Sequence, residues 1–168
     1  KNVLLVVDRA EYALPTSWRN RFLEQVGAQG TRILRVVDAN QTPKAMESEI
    51  TQTLAVNPAI DSIICTTQNG TCAALRAVER YGRFVPILGA DFNQEIAQGI
   101  YDGTIRASIV RNSYAYGYMG IENAIRILCG QGIAETRTLD ALVINSENLF
   151  DPAYAPLLYD ITAAPDGD

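Results

Sequence analysis

The amino-acid sequence predicts a doubly wound α/β fold, in which a mostly parallel β-sheet carries helices on both faces. Short apolar runs rich in β-branched residues alternate with amphipathic stretches of roughly 10–15 residues, and Gly, Pro or Asn separate them. Such alternation favours right-handed crossovers and therefore a parallel sheet. The 168 residues suffice for one domain with a substantial core, and 48% hydrophobic with 20% charged residues is typical of a globular chain.

The first half of the chain predicts three strand–helix pairs. The run 3–7 is apolar throughout, as expected of a strand buried on both faces. A Thr or Ser at 16–17 can cap the first helix, and Gly27 and Gly30 close it. Pro43 suits the first turn of the next helix. The predicted strands are 3–7, 32–37 and 62–65, and the predicted helices are about 16–26, 43–56 and 70–81.

The second half of the chain continues the alternation of strands and helices as far as about residue 144, and the pattern then ends. Gly130 is expected to end a long amphipathic helix, and the segment from Asn148 onward is expected to be mostly irregular. We therefore predict a single lobe over 1–145 and a C-terminal tail over 146–168. The predicted strands are 85–89, 104–110 and 139–144, and the predicted helices are about 94–99 and 114–128.

Composition excludes several classes of function. The chain contains no histidine, which removes Ser-His and Cys-His catalysis and most zinc sites, and it contains no GxxxxGK[ST] phosphate loop. A net charge of -5 with no basic run argues against a nucleic-acid partner. No apolar stretch approaches the length of a membrane span. These features predict a protein that is not an enzyme and that needs no cofactor and no metal.

The chain has three cysteines and no CxxC pair, so at most one disulfide could form. The favoured interpretation is three small buried side chains, Cys65, Cys72 and Cys129.

Ligands of open parallel sheets bind beyond the carboxyl ends of the strands, and polar side chains cluster there in this sequence. Carboxylate, guanidinium, amide and hydroxyl groups together can bind a hydroxyl-rich ligand. The candidates are Asp8, Arg9, Arg19 and Arg21 after strand one, Thr66, Thr67, Gln68 and Asn69 after strand three, Asp91 and Asn93 after strand four, and Arg111 and Asn112 after strand five.

Structural roles compete with each of these assignments. Asp91 or Asn93 could cap the helix that begins near residue 94, and the 66–69 cluster could be turn and cap chemistry. The arginines at 19 and 21 could be solvated helix charges. Arg111 is the hardest to explain structurally, because it follows an apolar strand at the ligand-binding edge.

The stretch 87–117 reads ILGADFNQEIAQGIYDGTIRASIVRNSYAYG and closely resembles the type I periplasmic binding proteins of the sugar-binding group. The shared pattern is a strand ending in Gly-x-Asp, a helix, a Gly-x-Ile turn, a second strand, and a Gly-containing helix. NPAIDSII at 57–64 and AALRA at 73–77 match further elements of that family. The resemblance extends over about residues 3–149.

The resemblance implies roles for individual residues. Asp91 would hold sugar hydroxyls, Arg111 would lie at the hinge position that also touches ligand, and Arg19 or Arg21 would be the ligand-facing arginine. Two positions depart from the family pattern: Thr67 and Gln68 replace Asn-Asp, and Arg111 replaces a usual Gln. The extra guanidinium could favour an acidic or phosphorylated ligand, or could hold a hinge carboxylate.

The resemblance also implies partners. Family members have two lobes, and this chain matches the second, so residues 113–145 would pack on a first lobe or, in its absence, on a second copy of the chain. The implied function is a lobe that binds a sugar-like solute in the periplasm or another extracytoplasmic compartment. It would serve an ABC-type membrane transporter or a sensor kinase. The alternative is the effector-binding domain of a LacI-type transcription regulator.

Overall fold

A computed structural model of the chain describes residues 1–8, 17–132 and 139–158. The strands are β1 (Asn2–Val7), β2 (Arg32–Asp38), β3 (Ser62–Cys65), β4 (Ile87–Ala90), β5 (Ile105–Val110) and β6 (Leu142–Ile144). The helices are α1 (Ser17–Ala28), α2 (Pro43–Val56), α3 (Gln68–Tyr81), α4 (Gln94–Tyr101), α5 (Ser113–Leu128) and α6 (Ala155–Leu158).

The strands form one six-stranded sheet in the order β2-β1-β3-β4-β5-β6. The first five are parallel, and β6 joins the edge antiparallel to β5. The order reverses at β1, which is typical of a doubly wound sheet. The predicted fold class, a mostly parallel α/β sheet with helices, is confirmed.

The main core lies between one face of the sheet and helices α2, α3 and α4. Leu4, Ile63 and Ile87 point from the sheet into this layer, where they meet Ile50 of α2 and Ile96 of α4. All five side chains have 0% exposure. Helices α2, α3 and α4 therefore shield the apolar side chains on this face of the sheet from solvent.

The opposite face of the sheet is covered only in part by the described residues. Val3 of β1 and Val26 of α1 line an open cleft of about 680 Å³ on this side. Exposure rises away from α1 and reaches 46% for Leu88, 55% for Ile109 and 56% for Val143. The outward side of β4, β5 and β6 is thus an apolar surface that the described residues leave uncovered.

Helix α5 continues from β5 but has no buried residue along its 16 residues. Its exposed apolar side chains recur at alternating spacings of four and three residues: Tyr114, Tyr118, Ile121, Ile125 and Leu128. Such a stripe marks a helix face that packs against another surface. No helix among the described residues is long and apolar enough to cross a membrane.

Element boundaries differ from the sequence prediction at a few places. Gly27 lies inside α1, and Gly30, with φ of +64°, makes the turn alone. Strand β6 begins at Leu142 rather than at 139. The segment expected to be irregular contributes Leu149 to the core with 1% exposure and contains the short helix α6, because an apolar side chain lies every few residues along it.

Candidate functional site

Polar side chains gather where four neighbouring parallel strands end. Asp8 follows β1, Thr66 follows β3, and Asp91 follows β4. Arg111 follows β5, the next strand in the sheet. Because parallel strands end at one edge, the strand order places these residues side by side, with strands roughly 4.8 Å apart. The polar residues at the carboxyl ends of β1, β3, β4 and β5 therefore form a row along one edge of the sheet.

Asp91 has a backbone conformation that side chains rarely adopt. Its φ is +61°, and it is the one non-glycine residue with positive φ among the residues described. Its backbone N–H donates to the carbonyl of Ile109 at 2.8 Å, and Ser108 Oγ donates to the carbonyl of Asp91 at 2.6 Å. Such a strained residue needs surrounding structure to hold it and is typical of functional sites.

The carboxylate of Asp91 forms a two-point contact with Arg111. Nε of Arg111 donates to Oδ1 at 3.2 Å, and the terminal NH2 donates to Oδ2 at 3.0 Å. The contact raises the pKa of Arg111 through hydrogen bonding and the charge of Asp91. Arg111 therefore contacts the carboxylate at the end of β4, and its role toward a ligand stays a prediction.

Buried side chains beneath Asp91 fix the end of β4. Thr71 of α3 has 0% exposure; Ala90 N–H donates to its hydroxyl at 3.0 Å, and this hydroxyl lies 2.9 Å from the Thr67 carbonyl. Gly89 permits the approach, because a Cβ there would lie 2.6 Å from Thr71 Cγ2. The strand end is thus clamped between α3 and β5.

Three candidate residues serve as helix caps, and one of them is Asn112, whose Oδ1 accepts from Ala115 N–H at 2.9 Å at the start of α5. The hydroxyl of Thr67 accepts from Gly70 N–H at 3.1 Å at the start of α3. Asn93 accepts from Ile96 N–H at 2.8 Å at the start of α4, so Asn93 and not Asp91 caps that helix. Gln68 is the first residue of α3 and is half-buried. A ligand role for Thr67 and Gln68 stays a prediction.

The candidates near β1 lie around its end and on α1. Asn40 donates through Nδ2 to the Asp8 carboxylate at 2.7 Å. Arg21 is exposed on α1, and Arg19 belongs to the same helix, but its side chain lies outside the described residues, as does Arg9. Their ligand roles also stay predictions.

Two of the three cysteines are buried near the site. Burial raises the pKa of both Cys65 and Cys72, and Asn93 Nδ2 donates to Cys72 Sγ at 3.3 Å. Both thiols therefore stay protonated at neutral pH and are poor nucleophiles. Cys129 is exposed, because it follows the uncovered helix α5, so the interpretation of three buried cysteines was wrong for it.

The sequence did not point to several residues that shape the site, among them Ser108, Thr71 and Asn40. Ser108 had a detectable signal, since it is a polar residue between the apolar residues Ala107 and Ile109 of β5. Thr71 and Asn40 act through partners far along the chain and had none. Within the described ranges, no group of three or more Cys, Asp or Glu residues could hold a metal ion.

Comparison with known proteins gives two findings. A family model for the periplasmic binding protein domain matches residues 1–132. The fold matches an ABC transporter solute-binding protein from Agrobacterium vitis, solved with α-D-tagatopyranose, at a TM-score of 0.81 and 20% identity over 95% of this chain and 54% of that chain.

Two further solved structures have the same fold. A carbohydrate transporter solute-binding protein from Agrobacterium radiobacter, in complex with D-arabinose, matches at a TM-score of 0.80 and 19% identity, covering 94% of this chain and 55% of that one. A sugar ABC transport substrate-binding protein from Bordetella parapertussis matches at a TM-score of 0.81 and 18% identity, covering 98% of this chain and 55% of that one. The chain therefore spans about half the length of the solved proteins that it resembles.

Proposed function

The chain belongs to the periplasmic binding protein domain family, and from that premise we propose that it is one lobe of a receptor for a small, neutral, sugar-like solute. The family is one of binding proteins and not of enzymes. The ligand would lie against the carboxyl edge of the sheet, over the ends of β1, β3, β4 and β5.

The observation that carries this proposal is the contact between Asp91 and Arg111. Sugar hydroxyls both donate and accept hydrogen bonds, and a carboxylate beside a guanidinium offers an acceptor and a donor side by side. Asp91 is 24% exposed and Arg111 69%, so both groups are reachable from solvent while their positions are fixed. Thr67 and Gln68 beyond the end of β3 and Asp8 beyond the end of β1 would extend the row of polar contacts.

The compartment and the partners follow from the same premise. We propose an extracytoplasmic location, with ligand binding signalled by closure of two lobes to either an ABC-type transporter or a sensor kinase. Half of the fourteen exposed large hydrophobic residues among those described lie on α5. The apolar stripe of α5 would pack on a second lobe, or on a second copy of the chain where no such lobe is present.

A ligand screen tests the proposal. Thermal unfolding would be followed with neutral aldoses and ketoses, including D-tagatose and D-arabinose, and with uronic acids, sugar phosphates and purines. A ligand at 100 times its Kd should add about 2.7 kcal/mol of stability. For a domain of this size that corresponds to a rise in Tm of roughly 5–10 °C.

Two substitutions with matched chemistry locate the site. Arg111→Ala should abolish or strongly reduce the shift given by any neutral sugar that binds, because it removes every hydrogen-bond donor at this position. Arg76→Ala should leave it unchanged, because Arg76 makes the same kind of two-point contact with Glu95 between α3 and α4. Binding that survives Arg111→Ala and Asp91→Asn alike would contradict the proposed site. If the chain is joined to a second lobe and no sugar-like compound in the screen raises its Tm, the proposed ligand class is wrong.

A further inference from the structure

We propose that Arg111 is a positioning residue that makes the Asp91 site electrically neutral and thereby selects uncharged polyols over their acidic analogues. The inference rests on the proposed function and deepens it.

The backbone of Asp91 is fixed by β5, so its side-chain torsion is the remaining freedom. The N–H and the carbonyl of Asp91 are both bonded, to Ile109 and Ser108 respectively. The two hydrogen bonds from Arg111 then fix both carboxylate oxygens in one plane. A ligand therefore meets an acceptor that is already oriented, which reduces the entropy lost on binding.

The pair keeps hydrogen-bonding capacity after this contact is made. A guanidinium has five N–H donors and a carboxylate has about four acceptor positions, of which the contact uses two each. Three donors and about two acceptor positions remain for a ligand. Two neighbouring sugar hydroxyls can donate to Asp91 and accept from Arg111 without either protein group giving up its partner.

An anionic ligand meets a different situation. The Nε edge of Arg111 is occupied by Asp91, so an anion can bind at two points only along the remaining edge of the guanidinium, where it lies beside the Asp91 carboxylate, which repels it. Like charges within a few ångströms at a half-buried position cost about 1 kcal/mol or more. The neutral pair thus rejects acids through Asp91 while Arg111 keeps Asp91 in place.

The chain contains an internal control for this geometry. Arg76 donates from Nε to Glu95 Oε1 at 2.7 Å and from NH2 to Oε2 at 2.5 Å. This second pair joins the exposed sides of α3 and α4 and includes no residue with positive φ. Any effect that is common to both pairs reflects an ion pair in general and not a ligand site.

The first experiment requires no ligand. Exchange of the arginine Nε–H protons with solvent is measured by NMR in the wild-type chain and in Asp91→Asn and Glu95→Gln variants. We expect Asp91→Asn to accelerate exchange at Arg111 roughly tenfold, the equivalent of one charge-assisted hydrogen bond, and to leave Arg76 unchanged. Glu95→Gln should do the reverse. Equal exchange at Arg111 in the wild-type chain and Asp91→Asn would overturn the positioning role.

The second experiment tests charge selection with inorganic phosphate as the probe. Phosphate should leave the Arg111 Nε–H signal of the wild-type chain in place, and should shift it in Asp91→Asn, where the cation no longer has a neutralising partner. A wild-type signal that moves as readily as that of the variant would contradict the neutral pair.

The third experiment uses matched sugars, D-galactose with D-galacturonate and D-glucose with D-glucuronate, titrated calorimetrically. The ratio of uronate to neutral affinity should rise at least tenfold in Asp91→Asn and should not rise in Arg76→Gln. A wild-type preference for the uronates would overturn the inference. If no sugar binds to any variant, the proposed function fails for these ligands, and the two NMR measurements still decide the role of Arg111.

Discussion

At the scale of single residues, the clearest consequence of the structure concerns the close packing around Gly89. A Cβ at this position would lie 2.6 Å from Thr71 Cγ2 and 3.2 Å from Ser108 Oγ, and neither neighbour can move without breaking the hydrogen bonds that hold Ala90 and Asp91. We expect Gly89→Ala to lower the free energy of unfolding by about 1–3 kcal/mol. Urea unfolding followed by circular dichroism measures the change.

Gly27→Ala is the matched control for that substitution. Gly27 lies inside α1, and a Cβ there meets nothing within 4 Å. Since alanine is the better helix former, this variant should gain about 0.5–1 kcal/mol. Equal effects of the two substitutions would show that β4 tolerates a side chain at Gly89 and that Thr71 does not clamp it.

The three cysteines should differ in reactivity. Burial raises the pKa of Cys65 and Cys72 and also shields their sulfur atoms, whereas Cys129 is exposed. We expect a thiol-specific reagent such as DTNB to label one thiol in the native chain at pH 7.5 and all three in 6 M guanidinium chloride. A Cys129→Ser variant should show almost no native labelling. Fast native labelling of that variant would mean that the layer between β3 and α3 opens readily.

The sequence predicted that the candidate residues lie at the carboxyl edge of the sheet, but it did not predict which contacts they make there. Asp91 and Asn93 were equal candidates for the cap of α4, because the choice depends on backbone angles that a sequence does not display. Asn93 is extended, with φ of -158° and ψ of 179°, and can cap, while Asp91 is left-handed and cannot. The contact with Arg111 joins residues 20 positions apart and depends on the pairing of β4 with β5.

At the scale of elements, hydrophobic periodicity predicted the strands and most of the helices, because each is stabilised by a face that the sequence displays. The start of β6 and its antiparallel direction were not predictable, since three residues carry too little pattern. The burial of Leu149 was also missed, because nothing local distinguishes a tail from a segment that returns to the core. Tertiary packing decided these cases.

Helix α5 permits a prediction about an element that contributes little to the stability of this lobe. Ile121 and Ile125 are 66% and 56% exposed, and the helix has no buried residue. Changing both to Gln should alter the free energy of unfolding by no more than about 0.5 kcal/mol, as for surface substitutions in general. Ile96→Gln, the same change at 0% exposure in α4, should cost about 3 kcal/mol or more.

Chemical unfolding of the three chains measures these differences. A large loss of stability in the Ile121→Gln, Ile125→Gln variant would show that α5 packs against its own lobe in solution. A negligible loss together with reduced self-association would show that the stripe is a surface for another lobe or another copy.

At the scale of the whole molecule, two apolar surfaces lack a cover within the described residues. One is the stripe on α5, and the other is the outward side of β4, β5 and β6, with Leu88, Ile109 and Val143 about half exposed. Contiguous apolar surface of this kind usually marks an interface. The resemblance to two-lobed proteins implied that residues 113–145 need a partner, but the open sheet face could not be foreseen, because sequence patterns do not show which side of a strand a helix leaves uncovered.

The balance between these surfaces and the net charge makes self-association depend on pH. The chain carries a formal charge of -5 at pH 7 and has an isoelectric point near 4.8. The α5 stripe contains no Asp or Glu residue, so the apolar attraction stays constant while the repulsion between copies falls. Because the chain contains no histidine, its net charge changes little above pH 5.5 and falls mainly between pH 5.5 and the isoelectric point. We expect the association constant measured by sedimentation velocity to rise several-fold from pH 7 to pH 5, with most of the rise below pH 5.5.

Salt separates this mechanism from general loss of solubility near the isoelectric point. At pH 7, 1 M NaCl shortens the screening length to about 3 Å and should strengthen association as acid does. The Ile121→Gln, Ile125→Gln variant has the same charge as the wild-type chain and should stay monomeric under both conditions. Equal association of variant and wild type would place the contact elsewhere, and the open face of β4, β5 and β6, tested by Ile109→Gln, would then be the surface that joins two copies.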